Sequence, residues 1–264
     1  MLWYVEKYVT LDSEQKKFAK VTIEEFHQWH RSTQIPIYAA YIEDLLQRID
    51  EPFTPKSVHE ETDQVQLLIE ASFKRLLPSL ADLCETLNSQ QIQEIDSKLA
   101  KKRKKYKKKF VDASDERKME LRIKELTDYL GQFFGRFTPE QTQWIAQWST
   151  SLKPYEELTV MQQEIWAETF SKAMQHRDDR SKLEDYLQEL VLYQTDNWQP
   201  ELQEKLDHNQ AITYQLIAKL LNNRNEKQRL KFRKKLNKYL TDFNKMNPPQ
   251  SEDPSSIKTS LQAQ

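Results

Sequence analysis

The stretch Leu87-Asn88-Ser89-Gln90-Gln91-Ile92-Gln93-Glu94-Ile95-Asp96-Ser97-Lys98-Leu99 carries both signals that set the fold class. Asn88 followed three residues later by Gln91 is a capping box. The Asn oxygen accepts from an amide that the first helical turn leaves orphaned, and the Gln side chain reaches back to the N–H of the cap. Behind it Ile92, Ile95, Leu99, Tyr106 and Phe110 recur at helical spacing. The same string returns at Leu11-Asp12-Ser13-Glu14-Gln15, Phe137-Thr138-Pro139-Glu140-Gln141 and Leu158-Thr159-Val160-Met161-Gln162, and again at Asn225-Glu226-Lys227-Gln228 without the leading apolar residue. Each copy predicts a helix start. Pro139 and Pro55, placed where a helix loses no hydrogen bond to proline, agree.

Between these signals the apolar residues keep a helical period, as in Phe232, Leu236, Tyr239 and Phe243. The spacing predicts helices near 12–31, 36–50, 54–86, 88–110, 114–134, 138–150, 159–177, 180–193, 200–222 and 225–245, with Pro36 and Pro78 ending or kinking a helix. The expectation is an all-α chain, an elongated antiparallel array of about ten helices forming one domain over 1–246. From Asn247 the sequence Asn-Pro-Pro-Gln-Ser-Glu-Asp-Pro-Ser-Ser has no period, and 247–264 is expected to be a disordered tail.

Glycine supports this reading. There are 2 glycines in 264 residues, Gly131 and Gly135, where average usage of about 7% would give roughly 18. A dinucleotide fingerprint, a P-loop and a nucleophile elbow all need glycine where backbone turns sharply or meets phosphate, and neither residue lies in such a string. The chain is polar, with 31% charged residues and a mean hydropathy of -0.87. Its 6 Trp, 11 Tyr and 11 Phe nevertheless supply large anchors for burial. A typical apolar run, Ile35 to Ile42, is far too short to span a bilayer. No signal peptide is read at Met1-Leu2-Trp3-Tyr4-Val5-Glu6-Lys7, so the expected location is cytoplasmic unless upstream sequence is missing.

The net charge of -1 gives no global pull toward a polyanion, but charge is segregated along the chain. Lys101, Lys102, Arg103, Lys104, Lys105, Lys107, Lys108 and Lys109 make eight basic residues in nine around Tyr106. They cover every side of a helix except the stripe of Leu99, Tyr106 and Phe110. Two readings stand: an anionic-surface binding site, or a solvated helix held beside acidic neighbours. Residues 178–207, with a local charge of -6, offer an internal partner. A second basic stretch runs from Arg224 to Lys238.

Glu24, His27 and His30 share one helical face, and Glu-x-x-His is half of a di-iron carboxylate motif. The other half is absent, so these three stand only as candidates for a metal, beside a plain helix-surface cluster packed near Trp29. No Ser, Thr or Cys stands in the local pattern of an activated nucleophile, and Cys84 reads as a small core residue. No catalytic residue and no cofactor is expected.

Leu2-Trp3-Tyr4 through Tyr8-Val9-Thr10-Leu11-Asp12, then Trp29-His30-Arg31 with Pro36 and Tyr38, then Phe134-Gly135-Arg136-Phe137-Thr138-Pro139-Glu140-Gln141 and Trp148, together resemble an uncharacterised family of proteobacterial lipoproteins. The resemblance spans most of residues 2–245 and implies a native precursor with an upstream signal and a lipid-modified cysteine, which this chain does not carry. It implies a periplasmic or outer-membrane location by lipid anchor and no reaction. The Thr-x-x-Gln strings are similar, more weakly, to those of the periplasmic chaperones Spy and CpxP. The expected function is that of a non-enzymatic cell-envelope protein acting through protein or anionic-surface contacts. A holdase-like chaperone and a metal-binding protein or enzyme are the alternatives. Nucleic acid is not the expected partner, and no small-molecule substrate is inferred.

Overall fold

The computed structural model describes residues 2–192 and 198–247, so the tail expected after Asn247 lies outside the described residues. Among the described residues every regular element is helical. In chain order these are α1 (Leu2–Val5), α2 (Ser13–Trp29), α3 (Ile35–Gln47), α4 (Pro55–Glu85), α5 (Ser89–Tyr106), α6 (Asp115–Phe134), α7 (Pro139–Ser151), α8 (Glu156–Gln175), α9 (Arg180–Val191), α10 (Pro200–Asn222) and α11 (Glu226–Met246). Single π-helical turns, His30–Gln34 and Lys107–Val111, extend α2 and α5. The fold is an all-α array, and the short α1 is the element that periodicity missed.

Asp12, Asn88, Thr138 and Asn225 are N-caps with complete capping boxes. Thr159 is not: α8 begins three residues earlier, and the Thr159 hydroxyl donates to the Tyr155 carbonyl at 3.0 Å from inside the first turn. The start is fixed instead by Glu156, whose carboxylate accepts the Tyr155 N–H at 3.0 Å. Neither proline ends a helix. The widened turn His30–Gln34 ends two residues before Pro36, which stands in the first turn of α3 where no N–H is needed, so helix runs on into α3. Pro78 sits inside α4, and its carbonyl accepts from Arg180 at 3.0 Å. Gly135 closes α6 with φ +79, a left-handed conformation that disfavours any side chain.

The capping glutamines do more than cap, because they are buried and pair across the fold. Gln15 and Gln91 exchange amide hydrogen bonds at 3.2 and 2.6 Å. The second N–H of each amide goes to Thr86 O and Thr10 O, both at 2.9 Å. Gln141 and Gln228 repeat the arrangement at 3.0 and 2.8 Å, with second bonds to Asn223 O and Arg136 O. In both copies the accepting carbonyl lies two residues before the partner's N-cap. Each pair ties two helix starts together, α2 to α5 and α7 to α11.

Two large apolar clusters form around α4. One gathers Ala81 and Cys84 of α4 with Ala19, Phe170, Met174, Leu183 and Leu187 from α2, α8 and α9. The other gathers Val58 of α4 with Leu130, Phe134, Ile145, Tyr214 and Leu220 from α6, α7 and α10. Val58 and Ala81 are separated by about 35 Å of helix, which makes the array elongated. A third cluster, Ile42, Ile49 and Leu236, packs α3 along α11. No helix of the described residues is long and apolar enough to cross a membrane.

Candidate functional site

The Gln15–Gln91 pair fixes the start of α5, and the C-terminal half of that helix is the basic run. It packs by one stripe only: Tyr106 is half-buried with its ring 4.8 Å from Phe110, and α8 lies against this stretch. Burial pushes the Tyr106 hydroxyl up to about 12. At about 100° per residue, Lys101, Lys104 and Lys108 lie opposite that stripe and Lys105 on its flank. All seven lysines of the run are exposed and Arg103 is half-buried.

The run makes one ion pair among the described residues, Lys109 to Glu125 at 2.8 Å. Lys102 donates to the Tyr8 hydroxyl and lies 4.3 Å from its ring. Arg103 donates to Gln163 O at 3.4 Å. Among the described residues, no carboxylate of the acidic segment 178–207 pairs with the run. Its carboxylates pair elsewhere: Asp179 with Lys182, Glu184 with Arg180, Glu201 with Lys205 and Glu204 with Lys153. These are mostly pairs within a helix, and among the described residues they leave the basic run with the Lys109–Glu125 pair alone. The second basic stretch is partly absorbed, with Arg224 buried on Leu221 O and Ile49 O and Arg233 paired with Asp50 at 2.6 Å.

Beside the basic run lies α1, which carries Trp3 and Tyr4 at 68% and 56% exposure. Lys7 sits 3.5 Å over the Trp3 ring, and Lys98 of α5 donates to Lys7 O at 3.2 Å. Thr10 is held by Glu94 of α5 through its N–H at 2.7 Å. Exposed amphipathic aromatics and exposed lysines therefore share one side of the molecule.

Between α1, α4, α5 and α8 opens a cleft of about 840 Å³. Leu83, Ile95, Leu99, Trp166 and Phe170 make much of its wall, and Lys102 and Arg103 line it as well. The Trp166 and Phe170 rings stack at 6.0 Å. Cys84, also in the wall, is a buried free thiol that burial, then Glu85, pushes up to about 12. It is a poor nucleophile, as a core cysteine should be.

Glu24 and His27 are exposed on α2, while the His30 ring turns inward and meets the Tyr38 hydroxyl at 3.1 Å. Burial, and secondarily His27, lowers the His30 pKa. Among the described residues no three His, Cys, Asp or Glu side chains are placed to hold a metal ion.

A family model matches residues 7–203, from before α2 into the start of α10. The chain belongs to the DUF6279 family of unknown function. The part matched by DUF6279 includes the whole basic run and all of the cleft wall except Tyr4 and Val5. It includes the Gln15–Gln91 pair but not Gln228, the partner of Gln141. No curated protein and no solved structure matches the chain. Sequence reasoning found the basic run but not the cleft, whose walls come from segments far apart in the chain.

Proposed function

We propose that this protein is a non-enzymatic, cell-envelope-facing helical protein that docks on an anionic lipid surface through the basic face of α5. The observation that supports it is the excess charge: among the described residues the eight basic side chains make a single ion pair, while Asp179, Glu184, Glu201 and Glu204 of the acidic segment pair with other cations. A lipid surface is favoured over nucleic acid because exposed Trp3 and Tyr4 stand beside the lysines, and such rings settle at the boundary between headgroups and acyl chains. The envelope location, by lipid anchor on a longer precursor, follows the resemblance and is part of the proposal.

The test is co-sedimentation with vesicles of phosphatidylglycerol and phosphatidylcholine, against pure phosphatidylcholine vesicles and a duplex DNA oligonucleotide, at low and high salt. Each lysine near an anionic surface contributes about 1 kcal/mol at best, and only those on one side reach it together. Replacing Lys101, Lys102, Lys104, Lys105, Lys107 and Lys108 with Gln is expected to weaken binding at least tenfold with unchanged melting. No binding of wild type to anionic vesicles at low salt, or tighter binding to DNA than to vesicles, overturns the proposal.

A second reading, binding of unfolded chains, has one observation behind it. Val65, Ile69 and Phe73 lie exposed at four-residue spacing on α4, between the two large clusters, at 41%, 52% and 44%. Such a stripe is the kind of surface a client segment covers. Suppression of aggregation of a chemically unfolded client, lost in Ile69→Lys, is the expected result. No suppression at several-fold molar excess ends this reading.

A further inference from the structure

The cleft at the buried edge of the basic run has a chemistry of its own. Its walls are aliphatic and aromatic, Leu83, Ile95 and Leu99 facing Trp166 and Phe170, and no Asp or Glu lines it. Its charges are Lys102 and Arg103, adjacent on α5. Among the described residues Lys102 meets the hydroxyl and ring of Tyr8, Arg103 meets a carbonyl at 3.4 Å, and neither makes an ion pair. Asp96, on the same helix, is the nearby carboxylate that feels Arg103; it does not line the cleft, and its own burial works against its charge. A volume of about 840 Å³ falls within the range of small-ligand sites. An apolar slot with two cations and no anion is complementary to one kind of molecule.

The geometry points to this cleft as a binding site for a single-chain anionic amphiphile, with its acyl chain between α4, α5 and α8 and its head group on Lys102 and Arg103. The chain replaces water along the apolar wall, which gains free energy with each methylene buried. The head group meets two cationic donors at the rim of the slot, Lys102 exposed and Arg103 half-buried, where charge-assisted hydrogen bonds are stronger than neutral ones. The site needs no bilayer, so it stands independently of the vesicle-docking reading, although Lys102 serves both.

Calorimetric titration of the full chain with dodecyl phosphate, kept below its micelle concentration, tests this. One-to-one binding is expected, with decyl phosphate about tenfold weaker because two buried methylenes are lost. Dodecyl maltoside, with the same chain and a neutral head, should bind at least tenfold more weakly. Dodecanoate separates a fatty-acid source from a phosphate-headed one, whichever anion binds more tightly. Lys102→Gln with Arg103→Gln should weaken both anions about tenfold, and Leu99→Trp should fill the slot and abolish binding. Ile95→Trp serves in case the first filling variant does not fold. Leu99→Trp should still bind anionic vesicles, and the variant Lys101, Lys104, Lys105, Lys107 and Lys108→Gln should still bind dodecyl phosphate, so the two readings fail separately. The inference is overturned if neither anion binds, if the neutral glycoside binds as tightly, or if a correctly folded filling variant binds like wild type.

Discussion

Glu156→Ala is expected to destabilise the protein by about 3–5 kcal/mol, read as a lower urea midpoint with unchanged slope. Glu156 is ion-paired with Arg122 at the start of α8, and their side chains are 6% and 16% exposed. Truncating the acid strands a buried guanidinium, whose Nε already has no partner among the described residues. The same change removes the acceptor for the Tyr155 N–H. Against a typical total stability of about 5–15 kcal/mol, a loss of that size leaves much of the chain unfolded at moderate temperature. The control is Arg122→Met with Glu156→Leu, which removes both charges and keeps the volume. It should recover most of the loss, because the large term is the unpaired charge and not the missing attraction. A single-variant cost below about 1 kcal/mol would mean that water already reaches the pair.

What the sequence disclosed, and what it withheld, divides by range. Asp12, Asn88, Thr138 and Asn225 were legible as caps because the bonds involved reach three residues. Thr159 carries the same string and is not a cap, because the start of α8 is set by the Glu156 carboxylate, its hold on the Tyr155 N–H and its pairing with Arg122, 34 residues back. Pro36 and Pro78 read locally as ends or kinks, and neither ends a helix: a π-helical turn precedes the first and α4 runs through the second. The basic run was plain in the sequence, but among the described residues no carboxylate of 178–207 pairs with it, since Asp179, Glu184 and Glu201 find cations within three or four residues and Glu204 finds Lys153 between α7 and α8. The cleft could not be read at all: Tyr8, Leu83, Leu99 and Trp166 come from four segments whose juxtaposition is a product of packing.

The glutamine pairs show how a local signal acquires a distant partner, and they yield the other large expected effect. Gln141 and Gln228 are 1% and 2% exposed and 87 residues apart, and each amide is fully used. The Gln141 oxygen accepts from the Thr138 N–H and from Gln228, and its nitrogen donates to Gln228 and to Asn223 O. Gln141→Ala is therefore expected to cost about 2–4 kcal/mol, the loss of a cap plus the orphaning of a buried amide and a carbonyl. Gln141→Glu is the sharper test, because Glu serves a capping box as well as Gln does. Here the introduced carboxylate would face the Gln228 oxygen and the Asn223 carbonyl with nothing to donate, so it should cost at least as much. Burial raises its pKa in the folded state, so the folded state holds the proton more tightly. Stability of that variant should then be highest below the unfolded pKa, and should fall as pH rises through the folded one. If the pair acts as a unit, Gln141→Leu with Gln228→Leu should cost less than the sum of the singles by about 1–2 kcal/mol. Strict additivity, or a Gln141→Glu variant as stable as wild type at neutral pH, would mean that each glutamine merely caps its own helix and that the tie between α7 and α11 contributes nothing. The Gln15–Gln91 pair, at 5% and 6% exposure, should show the same pattern with smaller values, since water more readily replaces what is lost there.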